Sequence, residues 1–154
     1  MRRSFLLAAL LAAASTAPAA GQTGFGPVVG VNFAAGSFGD YYGTGWTLGA
    51  QYIKGLPFGS LQFEATYNGF GIDDEIPALE DFNDDLNLWG FAAGPRLGIG
   101  PFNFGALGSY HTEIDEFDVI PLAGINIWKL DVALRYKGLF GDADWVGVTA
   151  AILF

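Results

Sequence analysis

The chain has 154 residues, no cysteine, 23 glycines and 14 phenylalanines, with 16 acidic against 7 basic residues and a formal charge of −9. This length bounds a single domain, and 51% hydrophobic with 16% aromatic residues is too apolar for a disordered tail. The lack of cysteine excludes a disulfide scaffold, a thiolate metal site and a cysteine nucleophile, and the acidic balance argues against nucleic acid, whose phosphates need a basic stripe.

The first element is a targeting segment. Arg2 and Arg3 form a positive start, Phe5 to Ala14 an apolar run, and Ala17-Pro18-Ala19 a small-residue cleavage site. Cleavage is predicted after Ala19 or Ala20, so residues 1–19 form a signal peptide and residues 20–154 the mature domain. The run is too short for a membrane helix, which needs about 20 apolar residues, and Pro18 and Gly21 would break one. The Arg-Arg pair is compatible with either the general secretory or the twin-arginine route. The mature chain keeps five basic residues (Lys54, Arg96, Lys129, Arg135, Lys137) against sixteen acids, a formal charge of 5 − 16 = −11.

Eight alternating segments follow. Val29, Val31 and Phe33 oppose Gly30 and Asn32; Trp46, Leu48, Ala50 and Tyr52 oppose Thr47, Gly49 and Gln51. From Ser60 to Asn68 the period of two is without error, with Leu61, Phe63, Ala65 and Tyr67 against Ser60, Gln62, Glu64, Thr66 and Asn68. Trp89, Phe91, Ala93 and Leu97 face away from Gly90, Gly94 and Arg96; Phe102, Phe104, Ala106 and Tyr110 from Asn103, Gly105, Ser109 and His111. Ala123, Ile125 and Ile127 oppose Gly124 and Asn126; Leu130, Val132, Leu134 and Tyr136 oppose Asp131, Ala133, Arg135 and Lys137. The last segment sets Val146, Val148, Ala150, Ile152 and Phe154 against Gly147, Thr149 and Ala151.

The connections alternate too. Tight turns are predicted at Gly55–Gly59, Gly98–Pro101 and Trp128-Lys129. Acidic loops are predicted at Gly36–Gly43, Gly71–Asp85, Thr112–Asp118 and Gly141–Asp144. Those loops hold fourteen of the sixteen acids, including Asp73, Asp74, Glu75, Glu80, Asp81, Asp84 and Asp85 in the longest and Asp118 at the end of the third. In an up-and-down meander they all project from one end.

This pattern resembles the small eight-stranded outer-membrane β-barrels of the outer membrane protein A class, over the whole chain after the leader. The resemblance implies an all-β, antiparallel up-and-down transmembrane barrel in a bacterial outer membrane. A bilayer admits only helices or closed barrels, and strands of about 9–11 residues suffice to cross it. Aromatic residues form two expected girdles: Trp46, Tyr67, Trp89, Tyr110, Tyr136 and Trp145 toward the acidic end, and Tyr52, Phe58, Phe102, Trp128 and Phe154 toward the other. Terminal Phe154 is similar to the signal that delivers such proteins to the barrel-insertion machinery, and with the chain closing there no peptidoglycan-binding domain is expected. The implied partners are outer-membrane lipid and lipopolysaccharide around a monomer.

The competing reading is a soluble lipocalin-type barrel, with the apolar face inside and Gly43-Thr44-Gly45-Trp46 as its opening motif. Its polar face would carry only five strand charges (Glu64, Arg96, Asp131, Arg135, Lys137), a poor solubilising surface. Turned inward, those five must find partners. Counting height along the strands pairs Asp131 with Arg96 and Glu64 with Arg135, with Lys137 reaching toward the acidic loops.

The expected role is a plugged barrel with a structural or interactive task in the envelope; a narrow ion or solute pore is the alternative, and a lipid-modifying enzyme the third. Ser109, His111 and Glu113 are compositionally a Ser/His/acid set, but residues two apart on one strand lie about 7 Å from each other, beyond hydrogen-bond reach. No catalytic residue is therefore assigned. The acidic loops lack the regular spacing of an EF-hand, and no metal or cofactor is assigned either.

Overall fold

The structure, a computed structural model, describes residues 23–72 and 85–154. The predicted leader lies outside the described residues, as do Asp73, Asp74, Glu75, Glu80, Asp81 and Asp84.

Eight strands follow in order: β1 (Gly24–Ala35), β2 (Tyr42–Leu56), β3 (Gly59–Ile72), β4 (Leu86–Ile99), β5 (Phe102–His111), β6 (Glu116–Ile127), β7 (Leu130–Lys137) and β8 (Asp144–Ile152). Each pairs antiparallel with the next, and β8 returns to β1 from Val28↔Ala151 to Ala35↔Asp144. The chain is thus all-β, a closed eight-stranded up-and-down barrel, and closure removes the sheet edges that would otherwise invite further pairing.

Alternation in sequence becomes alternation in burial. Along β3, Gln62, Glu64, Thr66 and Asn68 are buried while Phe63 between them stays exposed. Where the wall curves tightly, an inward side chain has no room. A Cβ on Gly94 would meet the Ala106 carbonyl oxygen at 2.0 Å, and one on Gly26 that of Ile152 at 1.8 Å. The three tight turns are two residues each: Pro57-Phe58 and Gly100-Pro101 are shorter than expected, and Trp128-Lys129 is as expected. Gly100 (φ 61°) suits its turn, whereas Trp128 occupies the left-handed region at φ 56°, unusual for a bulky residue.

Two sequence expectations are corrected. The third acidic loop is only Thr112–Asp115, so Glu116 and Asp118 belong to β6, and Asp118 is fully buried inside the barrel. A carboxylate looks like a loop residue in sequence, but here three backbone N–H groups stabilise it in the interior. Trp145 also leaves the expected girdle. At 5% exposure it points inward, as the parity of Gly147, Thr149 and Ala151 requires.

The interior is capped at the loop end by an apolar lid of Phe38, Phe70, Leu88, Ala143 and Trp145. Phe38, from a 3-10 turn at Phe38–Asp40, meets Phe70 edge-on at 5.1 Å and Trp145 at 5.9 Å; such aromatic pairs contribute about 0.5–1.5 kcal/mol each beyond their burial. A smaller apolar cluster, Leu107, Ile120 and Leu122, lines one inner wall. The outer wall carries Phe25, Val29, Val31, Leu48, Phe63, Phe91, Leu97, Phe104, Leu134, Val148 and Ile152, all exposed. Trp46, Tyr67 and Trp89 form a continuous row on it, with ring centroids 5.6 and 5.1 Å apart.

Candidate functional site

The polar side chains converge in the lumen, in layers set by strand height. In the layer nearest the short turns, Arg96 on β4 grips Asp131 on β7 with both terminal nitrogens, Nη1 to Oδ2 at 2.7 Å and Nη2 to Oδ1 at 2.9 Å. Arg96 also donates to Gln62 Oε1 at 2.9 Å and to Asn103 Oδ1. Gln51 donates to Asp131 Oδ2 at 3.0 Å, and Gln62 to Gln51 at 3.0 Å. The guanidinium and carboxylate therefore sit in an amide-rich cage, all of it buried. Such a pair tolerates the interior only because its remaining hydrogen-bonding capacity is satisfied.

At mid-height Arg135 reaches Glu64, Nη1 to Oε1 at 2.5 Å and Nη2 to Oε2 at 2.7 Å. Gln62 Nε2 donates to Glu64 Oε2 at 2.9 Å and so joins the two layers into one network. Above lie uncharged groups: Asn32 donates to Thr47 Oγ1 at 2.8 Å, and Thr47 to Asn68 Oδ1 at 2.6 Å. The structure thus brings together the pairs that strand height indicated, Arg96 with Asp131 and Arg135 with Glu64.

Near the loop end the fully buried Lys137 ammonium contacts Glu116 Oε2 at 2.7 Å, the Ala143 carbonyl at 3.1 Å and Asp118 Oδ2 at 3.9 Å. It also lies 4.7 Å from the Trp145 ring centroid. Asp118 accepts from the N–H groups of Val119 at 2.6 Å, Gly138 at 2.6 Å and Phe140 at 3.0 Å. With Asp118 inside, three enclosed carboxylates (Glu64, Asp118, Asp131) face three cations (Arg96, Arg135, Lys137), and Glu116, its side chain 15% exposed, adds a fourth carboxylate at Lys137.

Sequence reasoning missed Asp118 and the lid. Phe70 and Trp145 were within reach, since each continues the inward parity of its strand; Asp118 was not, because nothing local marks where its loop ends.

A polar cavity of about 30 Å³, lined in part by His111, Arg135, Glu64 and Thr149, is on the scale of one or two water molecules. His111 Nδ1 and Arg135 Nε are buried there without a protein hydrogen-bond partner.

The Ser/His/acid set is not wired as a relay. Ser109 donates to the Asp118 carbonyl at 3.3 Å, and His111 stacks edge-on against Trp145 at 5.2 Å. The exposed Glu113 carboxylate accepts from the Trp89 N–H at 2.9 Å and from the Thr112 hydroxyl. Those two hydrogen bonds stabilise its charged form and hold its pKa below the usual carboxylate value. Of the acids in the longest loop only Asp85 lies within the described residues, and among the described residues no group of three or more His, Cys, Asp or Glu could hold a metal ion.

Phe154 lies at the short-turn rim, 75% exposed. Its N–H donates to the Phe25 carbonyl at 2.9 Å, and Phe25 returns the bond at 3.2 Å, so the β1–β8 closure runs to the last residue. Lys129 sits 5.6 Å from both the Phe154 and the Trp128 ring centroids.

No protein-family model matches the chain, and no curated protein is found to be similar to it.

Proposed function

We propose that this chain is an integral outer-membrane β-barrel protein of a Gram-negative-type envelope, exported through a cleaved signal peptide at residues 1–19. Its role is structural or interactive, with a plugged polar lumen and acidic extracellular loops around Asp73, Asp74, Glu75, Glu80, Asp81, Asp84 and Asp85. The observation that carries this reading is the sign of the alternation. Every fully enclosed charge faces the lumen, while the outward strand positions are almost all apolar or small around the circumference; their charges and amide, Lys54, Asp144 and Asn87, lie within two residues of a strand end. A soluble barrel needs the opposite arrangement, because its outer wall must be hydrated. Lipid hydrocarbon suits this wall, and the rows of Trp and Tyr suit its two interfaces.

The interior favours a plug over a pore. Two bidentate Arg–carboxylate pairs bridge the lumen at different heights, and the lid of Phe38, Phe70 and Trp145 lies over them. On this reading the partners are outer-membrane lipid and lipopolysaccharide, with Phe154 and the last strand presented to the barrel-insertion machinery.

Mobility on an unheated gel, compared before and after boiling, together with extraction from membranes, tests the proposal. A compact fast-migrating band that converts on boiling, and release only by detergent, are expected. Full solubility without detergent would overturn the membrane assignment.

A further inference from the structure

The barrel wall is unequal around its circumference. Between β6 and β7 the ladder runs from Ile127↔Leu130 up to Leu122↔Arg135 and stops there. In the same register the next rungs of hydrogen bonds would join Pro121 with Tyr136 and Val119 with Gly138. The first lacks its β6 donor half and the second does not pair, and the sequence accounts for both losses. The Asn126 N–H donates to Pro101 on the β5 side, so by alternation the odd-numbered N–H groups of β6 face β7. Pro121 has no N–H to donate. Val119 does, but the Asp118 carboxylate captures it at 2.6 Å and captures the Gly138 N–H at 2.6 Å as well. One buried carboxylate thus stands in for a rung, and the Lys137–Glu116 ion pair ties the strands just beside it.

Between the ladder below and this staple above, the outer wall opens into a groove of about 310 Å³, lined by Pro121, Ala123, Leu134, Tyr136, Val146 and Arg135. Pro95 in β4 also interrupts its ladder, but there the pairing resumes in unchanged register, Ala93↔Gly108 on one side and Arg96↔Gly105 on the other. At Pro121 it does not resume. Arg135 lines both the outer groove and the polar cavity inside.

We infer that the β6–β7 seam is a lateral docking site for one acyl chain of a lipid in the leaflet on the loop side. Three observations name that occupant. The lining is apolar apart from Arg135, the groove is continuous with the outward apolar wall, and the seam-facing β6 donors at positions 119 and 121 are capped or missing, so no bare β6 N–H opposes hydrocarbon there. The inference rests on the membrane reading proposed above.

The test uses the full mature protein refolded into phosphatidylcholine vesicles containing a phospholipid with a photoreactive diazirine on its acyl chain, with crosslinks mapped by peptide mass spectrometry. Labelling of Pro121–Ala123 and Leu134–Tyr136 is expected to exceed that of the β4–β5 wall around Pro95 several-fold. It should fall to that background in Ala123→Phe and Leu134→Trp, two variants that fill the groove from opposite strands and whose folding is checked by gel mobility. Uniform labelling around the wall, or preference that survives both variants, overturns the docking site while leaving the membrane reading intact. A heat-modifiable barrel that takes no label anywhere overturns both.

Discussion

Arg135 and Glu64 lie 71 positions apart in sequence and meet across the lumen at 2.5 and 2.7 Å. Their strands, β7 and β3, are diametrically opposite in the ring of eight, so this pair ties the two halves of the barrel through its centre. The Arg96–Asp131 pair ties β4 to β7 one layer lower.

Breaking either pair leaves an uncompensated buried charge. Arg96→Ala and Glu64→Ala are each expected to cost about 3–5 kcal/mol, whereas replacing both members of the Arg135–Glu64 pair by Met and Leu should be close to neutral or stabilising. Urea titration of the refolded barrel, followed by the gel-mobility shift, measures both. A near-neutral single variant would show that the lumen is wetter than its hydrogen bonding indicates.

The plug also makes a prediction for conduction. Glu64→Ala removes the mid-height pair but leaves the Arg96–Asp131 cage and the aromatic lid in place. Planar-bilayer recordings are therefore expected to show no steady openings in either the native protein or this variant. Openings in the variant alone would identify Glu64–Arg135 as the barrier.

Trp145 separates the parity rule from the girdle rule. Single-tryptophan proteins retaining Trp46, Trp89 or Trp145 should respond differently to brominated acyl chains: the first two, 47% and 48% exposed on the outer wall, are expected to be quenched, and Trp145 at 5% is not. Equal quenching would place Trp145 outside. Removing its partner in the lid, Phe70→Ala, is expected to cost about 3–5 kcal/mol, read by the same urea titration.

Asp118→Ala should loosen the seam specifically. Without the carboxylate the N–H groups of Val119, Gly138 and Phe140 lose their acceptor, each at about 1–3 kcal/mol where it stays buried. Hydrogen exchange is expected to accelerate at these three amides while the β2–β3 ladder keeps its protection. Unchanged exchange there would mean that other acceptors take over.

Glu113 gives a pH dependence of known sign. Its folded pKa is depressed by the Thr112 hydroxyl and the Trp89 N–H, so its contribution is present above the unfolded carboxylate pKa and is lost as pH falls through the lower folded value. An NMR titration should show the Trp89 amide shifting with a midpoint below 4.5, the ordinary value. A midpoint at or above it would mean that the hydrogen bond is not held in solution.

Which side chains share a face was determined by the sequence alone, because side-chain direction in a strand alternates with odd and even position; that the polar face is the inner one is seen in the structure. The same rule, with strand height, made Arg96–Asp131 and Arg135–Glu64 legible before any coordinates. It also contained Trp145, where the expectation of an aromatic girdle had overridden it. Asp118 was out of reach, since whether a carboxylate ends a loop or enters a wall depends on which backbone donors stand near it. Gly138 and Phe140, some twenty positions away, supply two of them. The open seam was hidden for the same reason. Pro121 is visible in the sequence, as is Pro95, but which proline ends its ladder was decided only when β6 and β7 met and a side chain displaced the next rung.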